Sequence, residues 1–377
     1  ASQGLQERLL PLMDQICRYF ERTLQHPQQG QAARAYLASR GVSDDTAKVF
    51  RLGLAPAGWD HLLAAAKTTG VSAEDLETVG LVIQGRSGYY DRFRHRLIFP
   101  IMDVRGRVVG FGGRSLDDQE PKYLNSPETP LYTKGRNLFG LSRAKDAIIE
   151  RKTVVIVEGY FDCVVLAGDG IPHVVSPQGT AMTAEQGRLL KRYAETVILA
   201  FDPDAAGEAA TLRGIDVLIE AGLQVRVAQL PDGVDPDEHL RAVGRARFTD
   251  LLDRSQSVLE FLTESALRRS PPETAEARVQ AAQFILPTVA KVPNAMLRQE
   301  YVKLLAQQLR LDEDAVTREL AKAQPRTASW SARVAPSRTA NGASKARPTP
   351  GPQRLLTALV LDEPSRWHAV QEHLSMD

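Results

Sequence analysis

Five carboxylates stand out by type and placement. Glu158 closes the run VVIVE, Asp202 and Asp204 close VILAFDPD, and Asp235 and Asp237 follow QVRVAQLPDGVDPD. In an open parallel sheet, ligands gather outside the carboxyl ends of the strands, so folding is expected to bring all five to one rim. Carboxylates crowded on a rim repel one another unless a cation sits among them, and hard divalent ions with oxygen ligands are the natural partner. The chemistry this predicts is metal-dependent phosphoryl transfer. Pro203 fixes its own φ between the two aspartates and helps hold them in place. Asp162 lies one turn into the helix after Glu158-Gly159, where it either complements the helix dipole or stands behind the cluster. Asp204 could equally cap the helix that starts near Ala205. An isolated D-x-D occurs in many turns; one with an acidic strand end two elements before it and D-P-D after the next strand is far more specific.

The elements that must position these groups read as alternating strands and helices from Thr153 onward. TVVIVE, HVVSP, VILAFD and QVRVAQL are short apolar runs separated by helical segments near 164–167, 183–193 and 205–221. That order argues for a parallel sheet with right-handed crossovers. The first eighty residues read as helices, with Leu9, Leu10, Met13, Ile16, Cys17 and Phe20 at helical spacing and a stop at Arg40-Gly41. RLIFPIMDV and VVGFGG flank Arg105-Gly106-Arg107 as a strand hairpin, and 115–137 reads as a polar, basic loop. From 248 to 322 the pattern is helical, with Met296, Leu297, Tyr301, Leu304, Leu305 and Leu309 expected on one buried face. The stretch 324–352 carries five Lys/Arg, no acidic residue and much Ala, Ser, Thr and Pro, and reads as a linker. Another helix begins beyond it. The fold class expected is α/β and α+β, divided as a basic helical and mixed region over 1–150, a parallel-sheet domain over 151–245, helices over 246–323, a linker over 324–352 and the start of a helical domain over 353–377.

The net charge of +1 conceals a split. Between 86 and 136 ten Lys/Arg face six Asp/Glu, whereas between 200 and 240 two Arg face nine Asp/Glu. A basic face beside an acidic pocket suits an enzyme that handles polyanions through metal ions. Cys17 and Cys163 are the only cysteines and lack metal-ligand spacing, which excludes a disulfide framework or a structural zinc site built from them. No apolar run approaches the roughly 18 residues of a membrane span, and the start has no signal-peptide core. The chain reads as cytosolic and, lacking an initial Met, is consistent with an excised fragment.

The Glu158 and Asp202-Pro203-Asp204 spacing resembles the Toprim domain of primases, topoisomerases and some nucleases. Upstream, YDRFRHRLIFPIMDVRGRVVGFGGRSL and PKYLNSPETPLYTKGRNLFGL, together with PAGWD at 56–60 and PQGT at 177–180, resemble the catalytic core of the bacterial replicative DNA primase of the DnaG type. The resemblance runs from about Leu12 to near Lys322. It implies RNA-primer synthesis on single-stranded DNA from NTPs, an RNA–DNA hybrid product, and two or more Mg2+ or Mn2+ ions on Glu158, Asp202 and Asp204, with Asp235 and Asp237 adding to the set. It places Arg40, Arg92, Arg114, Lys122, Tyr123, Asn125, Lys134 and Arg136 on a basic template and nucleotide surface, while Arg107 reads as an ordinary turn residue. The family's zinc-binding domain is not within this sequence, and no zinc is expected in the chain. Its helicase-contacting domain is represented at most by 353–377, so helicase contact is expected to lie largely outside the chain. The chain is expected to be a monomer, without membrane contact, acting in the cytoplasm at the nucleoid and replication fork. Pro203 stands where the family more often has Gly. The rivals are a Toprim nuclease or topoisomerase and, in another class, a non-catalytic single-strand-binding module, which would leave the carboxylates without a role.

Overall fold

The computed structural model describes residues 3–117, 120–179, 181–201, 205–231, 233–269 and 273–323. Asp202, Pro203 and Asp204, and the linker and final helix expected beyond 323, lie outside the described residues.

The amino-terminal part is built on an antiparallel sheet of four strands in the order β1 (Gly53–Ala55), β4 (Arg96–Met102), β5 (Val108–Ser115), β6 (Tyr123–Asn125), beside a small ribbon of β2 (Val82–Gly85) and β3 (Gly88–Asp91). The hairpin between β4 and β5 turns at Gly106, whose φ of +80° favours glycine. The Asp103 carboxylate closes that turn by accepting the backbone N–H groups of Arg105 and Arg107 at 2.9 and 3.0 Å. Arg107 is paired back to Asp103 at 2.6 Å, in keeping with a turn residue. Pro100 sits within β4 without breaking the ladder. Its partner Phe111 turns its own N–H and C=O to Ser126, so the Pro100 nitrogen faces the other edge, where β1 pairs only with 96–98. The helix Gln3–Gln25 packs its predicted face of Leu9, Met13, Ile16, Cys17 and Phe20 into this core.

Two expectations need amending here. The first eighty residues are mostly helical but include β1, three residues recruited by the edge of β4. The stretch 115–137 is not only loop: Tyr123–Asn125 adds to β5 as an edge strand and Lys134–Arg136 forms a single 3₁₀ turn. Both segments are too short to show a periodic pattern, and the sheet edge supplies the pairing.

The second sheet has the order β11 (Gln256–Ser257), β10 (Gln224–Val227), β9 (Thr196–Leu199), β7 (Thr153–Ile156), β8 (Val174–Val175), parallel except at the β11 edge. Alternate residues of its strands enter different cores. Val154, Ile156, Val197, Leu199, Val225 and Val227 join the helices of 258–320 on one face. Val155, Val157, Ile198 and Ala200 join residues of the amino-terminal region and the helix Arg245–Asp253 on the other. Burial on both faces explains why these strands read as continuous apolar runs.

The carboxy-terminal helices Val258–Arg269, Ala275–Ala290, Ala295–Leu309 and Glu313–Ala323 are as the sequence suggests, but one face is misplaced. Met296 is 79% exposed, and Leu297 and Leu304 are exposed as well. The buried arc of Ala295–Leu309 runs through Val302, Leu305, Ala306 and Leu309, because it is the side that meets the neighbouring helices. None of the described helices is long and apolar enough to cross a membrane.

Candidate metal and nucleic-acid site

The register of the parallel sheet sets the rim. Ile156 pairs with Leu199 and Leu199 with Val227, so β7, β9 and β10 end level. Glu158 lies two residues beyond β7, half-buried; its backbone carbonyl accepts the Ser176 hydroxyl at 2.7 Å and the Gly179 N–H at 3.1 Å. The turn at Gly159 leads into the helix Tyr160–Gly168. There Asp162 Oδ2 accepts the Gly159 N–H at 3.1 Å, and Oδ1 accepts the Asp237 N–H at 3.4 Å. Asp162 therefore ties the turn after β7 to the helix Pro236–Val243, which begins at Asp235. Asp235 is the N-cap residue, half-buried, and its carboxylate makes no capping hydrogen bond.

Asp237 is fully buried. Its Oδ2 meets Arg40 at 2.9 Å and Arg241 at 3.4 Å, while Oδ1 is buried without a hydrogen-bond partner. Burial works against the charge of Arg40, but Asp237, joined by smaller contributions from Tyr36, Tyr123 and Glu238, outweighs it and the arginine's pKa is raised. Arg40 also lies 5.1 Å from the centre of the Phe161 ring. Thus Asp237 and Arg40, expected on a rim and on a template surface, hold one another in a part-buried ion pair.

Among the described residues no three His, Cys, Asp or Glu side chains gather as a metal site, with Asp202 and Asp204 outside that set. The donors present nevertheless suit a hard divalent ion. They are all carboxylates, with no thiolate or imidazole among them, and Asp237 carries a buried oxygen lacking any partner.

The basic surface adjoins this end of the sheet through Tyr160. Its ring stacks on Phe99 at 4.9 Å, and its hydroxyl donates to Asn125 Oδ1 at 2.7 Å. Gly112, opposite Asn125 in the ladder, makes room for that ring: a Cβ there would stand 2.4 Å from Tyr160 Cζ. Asn125 also donates to the Gln178 carbonyl at 3.4 Å, and its own carbonyl accepts from Arg92 at 3.3 Å. Burial lowers the pKa of Arg92. Arg114 donates to the Tyr36 hydroxyl at 3.1 Å and lies over the rings of Tyr123, at 5.1 Å, and Tyr36. Lys122, Tyr123 and Arg136 are exposed. Lys134 is half-buried, and burial lowers its pKa against the opposing effect of Glu128. The turn that carries Lys134 and Arg136 is pinned from the parallel-sheet side. Thr183 donates to the Gly135 carbonyl at 2.5 Å, and the buried Gln186 amide donates to the carbonyls of Asn137 and Lys134 at 2.8 and 3.4 Å.

Sequence reasoning did not single out Tyr36, Tyr160, Phe161, Gln178, Gln186 or Arg241. Only Arg241 left a local signal, four residues after Asp237 on one helix face.

Three family models match in chain order: the DNA primase catalytic core, N-terminal domain, over residues 19–145; a Toprim-like domain over 155–240; and the DnaB-helicase binding domain of primase over 259–314. A crystal structure of a DNA primase domain from Pseudomonas aeruginosa superposes with a TM-score of 0.76 at 34% identity, covering 83% of this chain and 99% of that one. The chain belongs to the DnaG primase catalytic-core family. A DnaG primase catalytic domain bound to single-stranded DNA matches with a TM-score of 0.75 at 36% identity, over 83% of this chain and 99% of that one. The DNA primase of Clostridium acetobutylicum is 39% identical over 311 residues, 82% of this chain and 51% of that primase. The chain spans about half the length of the curated primases it matches. The third family model corrects one expectation: the region named for helicase binding falls on 259–314, among the described helices, rather than only on 353–377.

Proposed function

We propose that this chain is the RNA-synthesising core of a primase, joining ribonucleotides on single-stranded DNA by metal-dependent nucleotidyl transfer. One observation carries the reading. The level ends of β7 and β9 put Glu158 at one end of the sheet, Asp162 accepts the Asp237 N–H there and so brings in the helix that begins at Asp235, and Tyr160 joins that end to the basic edge strand at Asn125. A single-strand-binding module would need the basic edge but not the carboxylates.

Glu158, Asp202 and Asp204 would hold two or more Mg2+ or Mn2+ ions, with Asp235 and Asp237 contributing and Asp162 bracing from behind. Bound there, the ions would favour ionisation of the attacking hydroxyl and neutralise charge on the phosphates. Arg114 and Tyr123 offer a cation and an aromatic face to an unpaired base, and Lys122, Lys134 and Arg136 offer charge to phosphates. Arg92 and Tyr160 hold Asn125 in place to meet a base or sugar, and Arg40 acts through its pair with Asp237. Attack of a ribonucleotide 3′-hydroxyl on the α-phosphate of the incoming NTP releases pyrophosphate and leaves an RNA–DNA hybrid.

The division at 1–150, 151–245 and 246–323 belongs to the same proposal and is supported by the limits of the three family matches. Residues 259–314 would contact the replicative helicase, and the protein would act as a monomer at the replication fork in the cytoplasm.

Incorporation of labelled NTPs on a single-stranded template, with Mg2+, Mn2+ or EDTA, tests the central claim. Glu158→Ala is expected to lose at least about 100-fold in synthesis, and its urea midpoint without metal should be equal to or slightly above the parent's because one repelling charge has gone. Near-parental synthesis by Glu158→Ala, or undiminished synthesis in EDTA, overturns the reading.

A further inference from the structure

A cavity of about 520 Å³ opens at the other end of the parallel sheet. Thr153 and Thr196, the first residues of β7 and β9, line it, so it lies at the amino ends of the strands, away from Glu158 and Asp235. Three arginines line it from three elements: Arg151 at the end of the helix Leu141–Arg151, Arg226 from β10, and Arg245 at the start of the helix Arg245–Asp253. The one carboxylate in its wall is Asp253. Among the described residues neither Arg151 nor Arg245 has an ion-pair partner. Arg226 is aimed by Ser255, whose hydroxyl accepts from Nε at 2.9 Å and whose carbonyl accepts from the guanidinium. Gly170 makes room for Arg245, since a Cβ there would stand 2.7 Å from Nη1. His173 Nδ1 is buried beside them without a hydrogen-bond partner.

Three arginines that repel one another around a void are stabilised by an anion between them, and the guanidinium fork suits phosphate oxygens. The volume falls within the range of about 300–1,000 Å³ for small-molecule sites. Ile171, Ile198 and Leu252 give the same cavity an apolar wall that inorganic phosphate would leave unused. We propose that this cavity binds a phosphorylated small molecule of mononucleotide size, with its phosphates on Arg151, Arg226 and Arg245 and its organic part against Ile171, Ile198 and Leu252. The site recognises phosphate by arginine, without metal, and so differs in chemistry as well as position from the carboxylate rim. Burial, and then Arg151, push the His173 pKa down to about 4; an anion among the arginines opposes that effect.

The test is calorimetric titration of the whole chain with GTP in EDTA, repeated with inorganic tripolyphosphate and with a single-stranded oligonucleotide. One saturable GTP site is expected, weakened at least ten-fold in Arg151→Ala/Arg245→Ala, with tripolyphosphate competing but binding less tightly. Lys322→Ala, which removes an exposed cation of the helix Glu313–Ala323, should bind GTP as the parent does, and the His173 imidazole, followed by NMR, should titrate at higher pH with GTP bound. Both arginines are exposed, so the double variant should fold; Arg151→Gln, at a helix end, serves if it does not. Absence of saturable binding overturns the proposal. So does equal affinity in the arginine variants, an equal loss in Lys322→Ala, tripolyphosphate binding as tightly as GTP, or tighter binding of the oligonucleotide through the same arginines.

Discussion

Asp237 has no exposed surface, and one of its oxygens is shared between Arg40 and Arg241, both of which keep part of their own surface in water. Removing a buried carboxylate leaves its partners' charges uncompensated, at about 3–5 kcal/mol for fully buried pairs. With both arginines partly solvated the cost of Asp237→Ala should be about 2–3 kcal/mol, read as a lower urea midpoint. Asp237→Asn keeps the shape and an acceptor and should recover part of that loss. Equal stability of Asp237→Ala and the parent would show that the pair contributes nothing. His173 gives a pH signature. Its folded pKa of about 4 lies below an unfolded value of about 6.5, so the unfolded chain binds the proton more readily. Stability from this residue is present above pH 6.5 and is lost as pH falls toward 4, by at most about 3 kcal/mol. Urea unfolding of His173→Gln should depend less steeply on pH in that window; an unchanged slope would place the loss elsewhere. The place of Glu158 was legible because it ends the apolar run of β7, and Asp235 and Asp237 stood out because they follow such a run. Their division of labour was not legible, because whether an aspartate meets an ion, an arginine or a backbone N–H depends on residues nearly 200 positions away, as with Arg40 and Asp237.

At the scale of elements, the joint between the two sheets is made by Tyr160, Gly112 and Asn125. Gly112→Ala would drive a Cβ into a fully packed ring, and overpacking of this kind costs about 1–3 kcal/mol. The expected result is a lower melting temperature, together with weaker template binding as Asn125 loses its tether. A variant as stable and as active as the parent would mean that the ring yields without cost. The parallel strands β7, β9 and β10, their helices and the β4–β5 hairpin could be read from the sequence, since each has an apolar run or a periodic pattern long enough to stand out. The strands β1, β6 and β11 could not. With two or three residues each, they are strands only because an edge of another strand awaits them. The face of Ala295–Leu309 misled for a related reason. Apolar residues surround that helix, and only the neighbours decide which are covered.

For the molecule as a whole, charge separation should govern how template is held. Neutralising a phosphate of a single strand releases counterion, contributing about −0.7 to the slope of log affinity against log salt. Lys122→Ala and Lys134→Ala should each reduce the slope by about that amount and weaken single-strand binding at low salt, with little change in unfolding. Fluorescence anisotropy over a salt series measures this, and slopes equal to the parent's would make the two lysines solvated surface only.

The strand β7 sends Val154 and Ile156 into one core and Val155 and Val157 into the other. That alternation decides how the protein can be dissected. A fragment cut at the start of β7 would keep its carboxylates, its strand order and the helices Tyr160–Gly168 and Arg245–Asp253 over the second face, yet it would uncover Tyr160 and Phe161, which pack on Tyr36, Phe99 and Phe139. Two bared aromatic rings side by side favour self-association of such a piece. The region that carries the acidic rim therefore depends for the cover of these two rings on the region that carries the basic edge, and a lineage that inherits one must keep the other or find a new cover for them.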